Sequence, residues 1–255
     1  MHPAIVKTSQ LILAGDIAGA ENELTEYAEQ EGDHALVVLL DEVPPRDLLA
    51  LMREYDASKE SVVNLLVTPE QFAQAVVLEV QYGDRNGDKL RGMMNAVVHR
   101  DSDTASEYLE AIGEVEGGVG VLADYFADRY DELFSFVSSG QFAVQFNPEI
   151  QPVQHTTWLM ERIDEIDSGL NFGNSLEERR PSVSRDEIAD SDWMETAWVL
   201  RYELPDLFEE VLVMIRNRVQ RSLETAVPAA GSAASSASAA SAGAAAAGDD
   251  EESAI

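Results

Sequence analysis

Asp84-Arg85-Asn86-Gly87-Asp88 sets oxygen-bearing side chains at alternate positions, as a calcium loop does. An EF-hand loop needs Gly at its sixth position and Glu at its twelfth. Counted from Asp84 those positions hold Lys89 and Asn95. The segment therefore reads as a polar turn that starts the following helix. Gly118-Val119-Gly120-Val121-Leu122-Ala123 has the spacing of a dinucleotide fingerprint with Ala in the last place. That chemistry requires a buried strand beforehand and an acid about 20 residues later. The preceding Glu110 to Glu116 is acidic and Ser138 to Phe142 holds no acid, so the glycines are expected to let helices turn or pack closely. The histidines His2, His34, His99 and His155 are scattered, with no HExxH pair, nucleophile elbow or P-loop. They read as surface or capping residues. Arg179-Arg180-Pro181-Ser182-Val183 looks like a basophilic kinase site, but in so acidic a chain the arginines are expected to pair with nearby carboxylates. No residue is assigned a catalytic, cofactor-binding or metal-ligating role, and no cofactor is expected.

The charge balance narrows the field further. Lys plus Arg is 17 against 48 for Asp plus Glu, giving a formal net charge of −31 over 255 residues. Nucleic acid is excluded as a partner, because neutralising phosphates takes clustered basic residues. With no Cys there is no disulfide framework, thiolate metal site or cysteine nucleophile. The acids are dispersed, and only Lys7, Lys59 and Lys89 are lysines. A surface rich in carboxylate and poor in lysine stems suits concentrated salt, where like-charge repulsion is screened within about 3 Å at 1 M. The expectation is a salt-adapted, cytoplasmic protein. No signal peptide is read at Met1 to Lys7, and no run of strongly apolar residues reaches membrane-spanning length.

Periodicity is helical nearly throughout. Helices are expected over Pro3 to Ala14, Ile17 to Gln30 behind an Asp16 cap, and Ala35 to Glu42 capped by Asp33. Pro44 stops that helix and Pro45 opens Arg46 to Tyr55. Ser58 is expected to open a short helix to Leu66. Thr68-Pro69-Glu70-Gln71 is a strong start signal for a helix to Val80. Further helices follow over Asp88 to Val98, Ser102 to Ile112 and, after a Gly-rich break, Val121 to Val137. Gln141 to Phe146 alternates and is the one strand candidate. Gln154 to Ile166 reads as helix and Asp167 to Val183 as loop. Ser184-Arg185-Asp186-Glu187 is a capping box for a helix to Tyr202, and Pro205 starts a last helix with Phe208, Val211, Leu212, Ile215, Val219 and Leu223 on one stripe. The aromatics Tyr125, Phe126, Tyr130, Phe134, Phe136, Trp158, Trp193 and Trp198 are expected to be mostly core. After Thr225 an Ala/Ser/Gly tract with an acidic tip cannot offset its ordering entropy.

The fold expected is all-α: a superhelix or solenoid of short helices over 1–112, a helical bundle over 113–225, and a disordered tail over 226–255. Within the first part, Ala14-Gly15-Asp16-Ile17, then Asp33-His34-Ala35-Leu36-Val37-Val38-Leu39-Leu40-Asp41-Glu42-Val43-Pro44-Pro45-Arg46-Asp47-Leu48, and Val62 to Glu70 set up a rhythm of short helix, cap or proline, short helix. Residues 10–79 resemble the cytoplasmic N-terminal domain of MgtE-type magnesium transporters. The paired CBS regulatory modules and membrane helices of that family have no counterpart in the sequence, so the resemblance implies a helical superhelix and not transport. More faintly, it implies sensing of divalent cations through acidic surfaces. No metal ligand carries over residue by residue.

The functional expectation is a non-enzymatic adaptor or scaffold that binds an unidentified protein partner, with self-association left open. A divalent-cation (Mg²⁺) responsive regulator is the second reading. An enzyme with an unrecognised site is the third.

Overall fold

The structure is a computed structural model that describes residues 2–55, 60–82, 87–142, 183–188 and 192–221. All regular structure among the described residues is helical, so the chain is all-α. Pro3 starts α1 (Pro3–Leu13), with the His2 side chain accepting from the Ala4 amide. Asp16 caps α2 (Ile17–Glu31) by accepting from the Gly19 amide at 2.9 Å. α3 (Asp33–Leu40) takes Asp33 into its first turn, and Gly32 rather than Asp33 stands at the cap. Pro45 occupies the first turn of α4 (Pro45–Glu54). The next helix, α5 (Val62–Leu66), is capped by Ser61. Ser58, the expected cap, lies outside the described residues.

α6 (Pro69–Tyr82) opens on a reciprocal box. The Thr68 amide donates to Gln71 Oε1 at 3.0 Å and the Gln71 amide to Thr68 Oγ1 at 3.4 Å. α7 (Asp88–Val97) runs into a 3₁₀ turn over Val98–Arg100. α8 (Ala105–Glu114) follows the Thr104 cap and carries Gly113 inside its last turn. The helix expected over Val121 to Val137 is two helices. α9 (Gly118–Tyr125) starts after Gly117, whose φ of +90° glycine alone adopts without strain. α10 (Tyr130–Ser139) follows a turn over 126–129. Phe126, in the turn, and Phe134, in α10, are each essentially fully buried.

The capping box at Ser184 is present, but it opens a 3₁₀ turn over Arg185–Glu187. α11 (Asp192–Tyr202) begins separately. A last described helix covers 205–221, with Phe208, Val211, Leu212, Ile215 and Val219 buried along one stripe. Gln141 and Phe142 are neither helix nor strand, and the rest of the strand candidate lies outside the described residues. So do the Gln154 to Ile166 helix, Asp84 to Asn86, Arg179 to Ser182, Trp158, His155, Leu223 and the 226–255 segment.

Packing runs from neighbour to neighbour at first: α1 on α2, α2 on α3, α4 and α5. α6 then gathers α4, α7, α8 and α9 around itself, and α8 also meets α9 and α11. The buried apolar residues form one cluster from Ala4 to Val219, common to both expected parts. Tyr125, Phe126, Phe134 and Phe136 belong to this core, while Trp193 and Trp198 are half-buried against it.

Candidate functional site

The 205–221 helix docks on α8 and α9, and two residue choices set the angle. A Cβ on Gly113 would come within 2.6 Å of Leu207 Cδ1, so the missing side chain in α8 admits Leu207. Further along, Arg218 donates through Nη1 to Asp124 Oδ1 at 2.6 Å and through Nη2 to the Gly120 carbonyl at 3.2 Å, pinning the helix to α9. Between α8 and the first turns of this helix a cleft of about 400 Å³ stays open. Half-buried Leu204 and Leu207 lie in it, and the carboxylates of Glu110, Glu114, Glu203, Asp206 and Glu210 rim it.

One wall of the cleft belongs to a buried polar seam. Glu203 accepts from Arg185 Nη1 at 3.1 Å. The same guanidinium donates through Nε to Glu195 Oε1 at 3.0 Å and through Nη2 to the Ser102 carbonyl. Glu195 is buried, and its other oxygen lies 3.4 Å from His99 Nδ1. The far nitrogen of that ring, Nε2, is 2.8 Å from Thr196 Oγ1. The order hydroxyl, imidazole, carboxylate is that of a nucleophilic relay. Thr196 is 0 % exposed, however, so no substrate atom reaches its hydroxyl in this arrangement. As placed, the group gathers charge: two acids, one guanidinium and one ionisable imidazole.

Buried charges sit elsewhere too, Arg201 and Glu21 among them. Arg201 is buried in α11, with its guanidinium 4.7 Å from the Phe136 ring centroid and 5.3 Å from that of Tyr202. It donates to the Phe136 carbonyl, tying α11 to α10. Glu21, in α2, accepts from the Val62 amide at 2.6 Å. Burial pushes its carboxyl above the usual range, and hydrogen bonds from Ser61, Val62 and Val63 pull it part of the way back.

The sequence motifs distribute as follows. Gly118 starts α9, and a Cβ there would lie 1.6 Å from the Ile112 carbonyl oxygen, so this glycine serves close helix packing. Asp88, at the end of the polar turn, pairs with Arg91 at 3.5 Å. His2 caps α1 and His34 is exposed. His99 departs from the surface-or-cap expectation: its side chain is only 6 % exposed. Neither the cleft nor the seam was singled out by motif. The available signal was a carboxylate and a hydroxyl, Glu195-Thr196, between the apolar Met194 and Ala197 of α11.

Among the described residues no three His, Asp or Glu side chains are placed to hold one metal ion. None of the described helices is long and apolar enough to cross a membrane. Comparison with protein-family models, curated proteins and solved structures finds no match to this chain.

Proposed function

We propose that this protein is a salt-adapted interaction module whose cleft between α8 and the 205–221 helix receives a cationic, amphipathic segment of a partner protein. The observation that carries this reading is the pairing, in one open cleft, of apolar Leu204 and Leu207 with a rim of five carboxylates. A partner helix or strand with alternating apolar and basic residues matches that lining on both counts.

Salt decides which part of the match matters. At about 1 M salt the screening length is about 3 Å, so long-range steering by the net charge is lost. Contact pairs and the burial of apolar area persist. Affinity in brine then rests on apolar anchors seated at Leu204 and Leu207, with the carboxylates selecting Arg or Lys beside them.

The test is fluorescence anisotropy of a labelled Arg/Leu amphipathic peptide titrated with the full chain in molar KCl. A scrambled peptide of equal composition serves as the control. The triple variant Glu110→Gln, Glu114→Gln, Glu210→Gln should bind about tenfold more weakly, a change of about 1.4 kcal/mol. Equal binding by wild type and triple variant, or no preference for the amphipathic peptide over the scrambled one, removes the reading.

A further inference from the structure

The cleft and the buried imidazole are joined by a single guanidinium. Glu203, on the cleft rim, and Glu195, in the seam, both accept from Arg185, at 3.1 and 3.0 Å. Glu195 has its second oxygen 3.4 Å from His99 Nδ1. With His99 neutral, Arg185 is, among the described residues, the cation shared by the two carboxylates. With His99 protonated, the four groups balance, two positive against two negative, and Glu195 has a cation of its own.

Among the described residues, the other charges on the elements packed here are engaged or exposed as follows. Within the same 3₁₀ turn, Arg100 is directed to the Asn64 carbonyl. The loop that follows carries Asp101 and Asp103, both exposed. On α8, which packs against both the 3₁₀ turn and α11, Glu107, Glu110 and Glu114 are exposed. Arg91 of α7 pairs with Asp88 and Asp128. The cation on α11, Arg201, is bound at the Phe136 carbonyl.

We propose that His99 is a proton-operated regulator of the cleft: its protonation takes up Glu195, frees Arg185 for Glu203, and so weakens the hold of the cleft on a cationic partner. This rests on the docking function proposed above. The sign follows from charge alone, because a proton added beside the seam makes the rim less attractive to cations. By reciprocity, an occupied cleft must disfavour protonation of His99.

Two measurements on the full chain separate this proposal from the one it rests on. The first is an NMR titration of the His99 imidazole, assigned by its loss in His99→Gln, in wild type and in Glu203→Gln. Removing the Glu203 charge should lower the titration midpoint by about half a pH unit at low salt. Glu203 is exposed, so this variant does not depend on a rebuilt core. An unchanged midpoint overturns the coupling. The second is affinity for the Arg/Leu peptide at about pH 8 and about pH 5.5, the span over which histidine titrates. Wild type should lose about fivefold more affinity on acidification than His99→Gln does, at the low end of ordinary coupling. Equal losses overturn the regulator and leave docking intact. No binding at either pH overturns docking, and the regulator falls with it even if the NMR coupling is found.

Discussion

At the scale of the residue, Glu21 shows what a carboxylate costs in an apolar seam. It is only 4 % exposed. The Val62 amide at 2.6 Å compensates its charge in part, yet burial still pushes its proton affinity up. The folded chain therefore holds this proton to higher pH than the unfolded chain does. Stability contributed by the protonated form is complete below the ordinary carboxylate value and is lost as pH rises through the raised one. Glu21→Gln keeps an acceptor for Val62 and removes the charge. Its melting temperature should fall less steeply than that of wild type as pH rises above the ordinary carboxylate value, leaving the variant the more stable of the two at neutral pH. Circular dichroism melts across that range check it, and parallel slopes refute it. General carboxylate repulsion has the same sign, but it is common to both proteins and cancels in the comparison. None of this was legible in the sequence, since Glu21 and Val62 are 41 positions apart. Spacing within one helix does not reveal which distant amide a carboxylate will meet.

Helices were far easier to read than their contacts. Thr68-Pro69-Glu70-Gln71 and Pro44-Pro45 announce helix starts because their chemistry is local: a side chain bonding an amide three residues away, and a fixed φ. The break between α9 and α10 was missed because no proline or glycine marks it and the apolar positions on either side keep a helical period. The seam was missed because His99 and Thr196 lie 97 positions apart. Gly118 and Gly120 of α9 look alike in sequence and differ in surroundings. A Cβ on Gly118 would stand 1.6 Å from the Ile112 carbonyl oxygen, while one on Gly120 would meet only Arg218 Nη2 at 3.6 Å. Gly118→Ala should therefore cost about 3 kcal/mol by forcing α9 away from α8. Gly120→Ala should be neutral or stabilise by up to about 1 kcal/mol through helix propensity. Denaturant unfolding of both variants tests this, and similar costs for the two would show that the approach of α9 to Ile112 is misplaced.

For the whole molecule, the arithmetic of charge dominates. Of the few cations, Arg53, Arg91, Arg185 and Arg218 are each engaged with carboxylates of the chain itself. They neutralise partners at contact distance, while most of the other described carboxylates are exposed, where dissolved ions can screen them. The melting temperature should rise by about 10 °C or more between low salt and molar KCl. An osmolyte at matched water activity should do less. A flat or falling melting temperature would remove salt adaptation from the proposed function while leaving the all-α architecture untouched.

The central place of α6 bears on how the polypeptide matures. Phe72 rests edge-on against Tyr108 with ring centroids 5.8 Å apart, and Val77 lies beneath the turn at Gly117. Both covering partners are encoded well downstream. A nascent chain leaving the ribosome must carry this greasy rod half-naked until α8 and α9 emerge, and any pause in translation between them prolongs that interval. Holdase chaperones would find their target there.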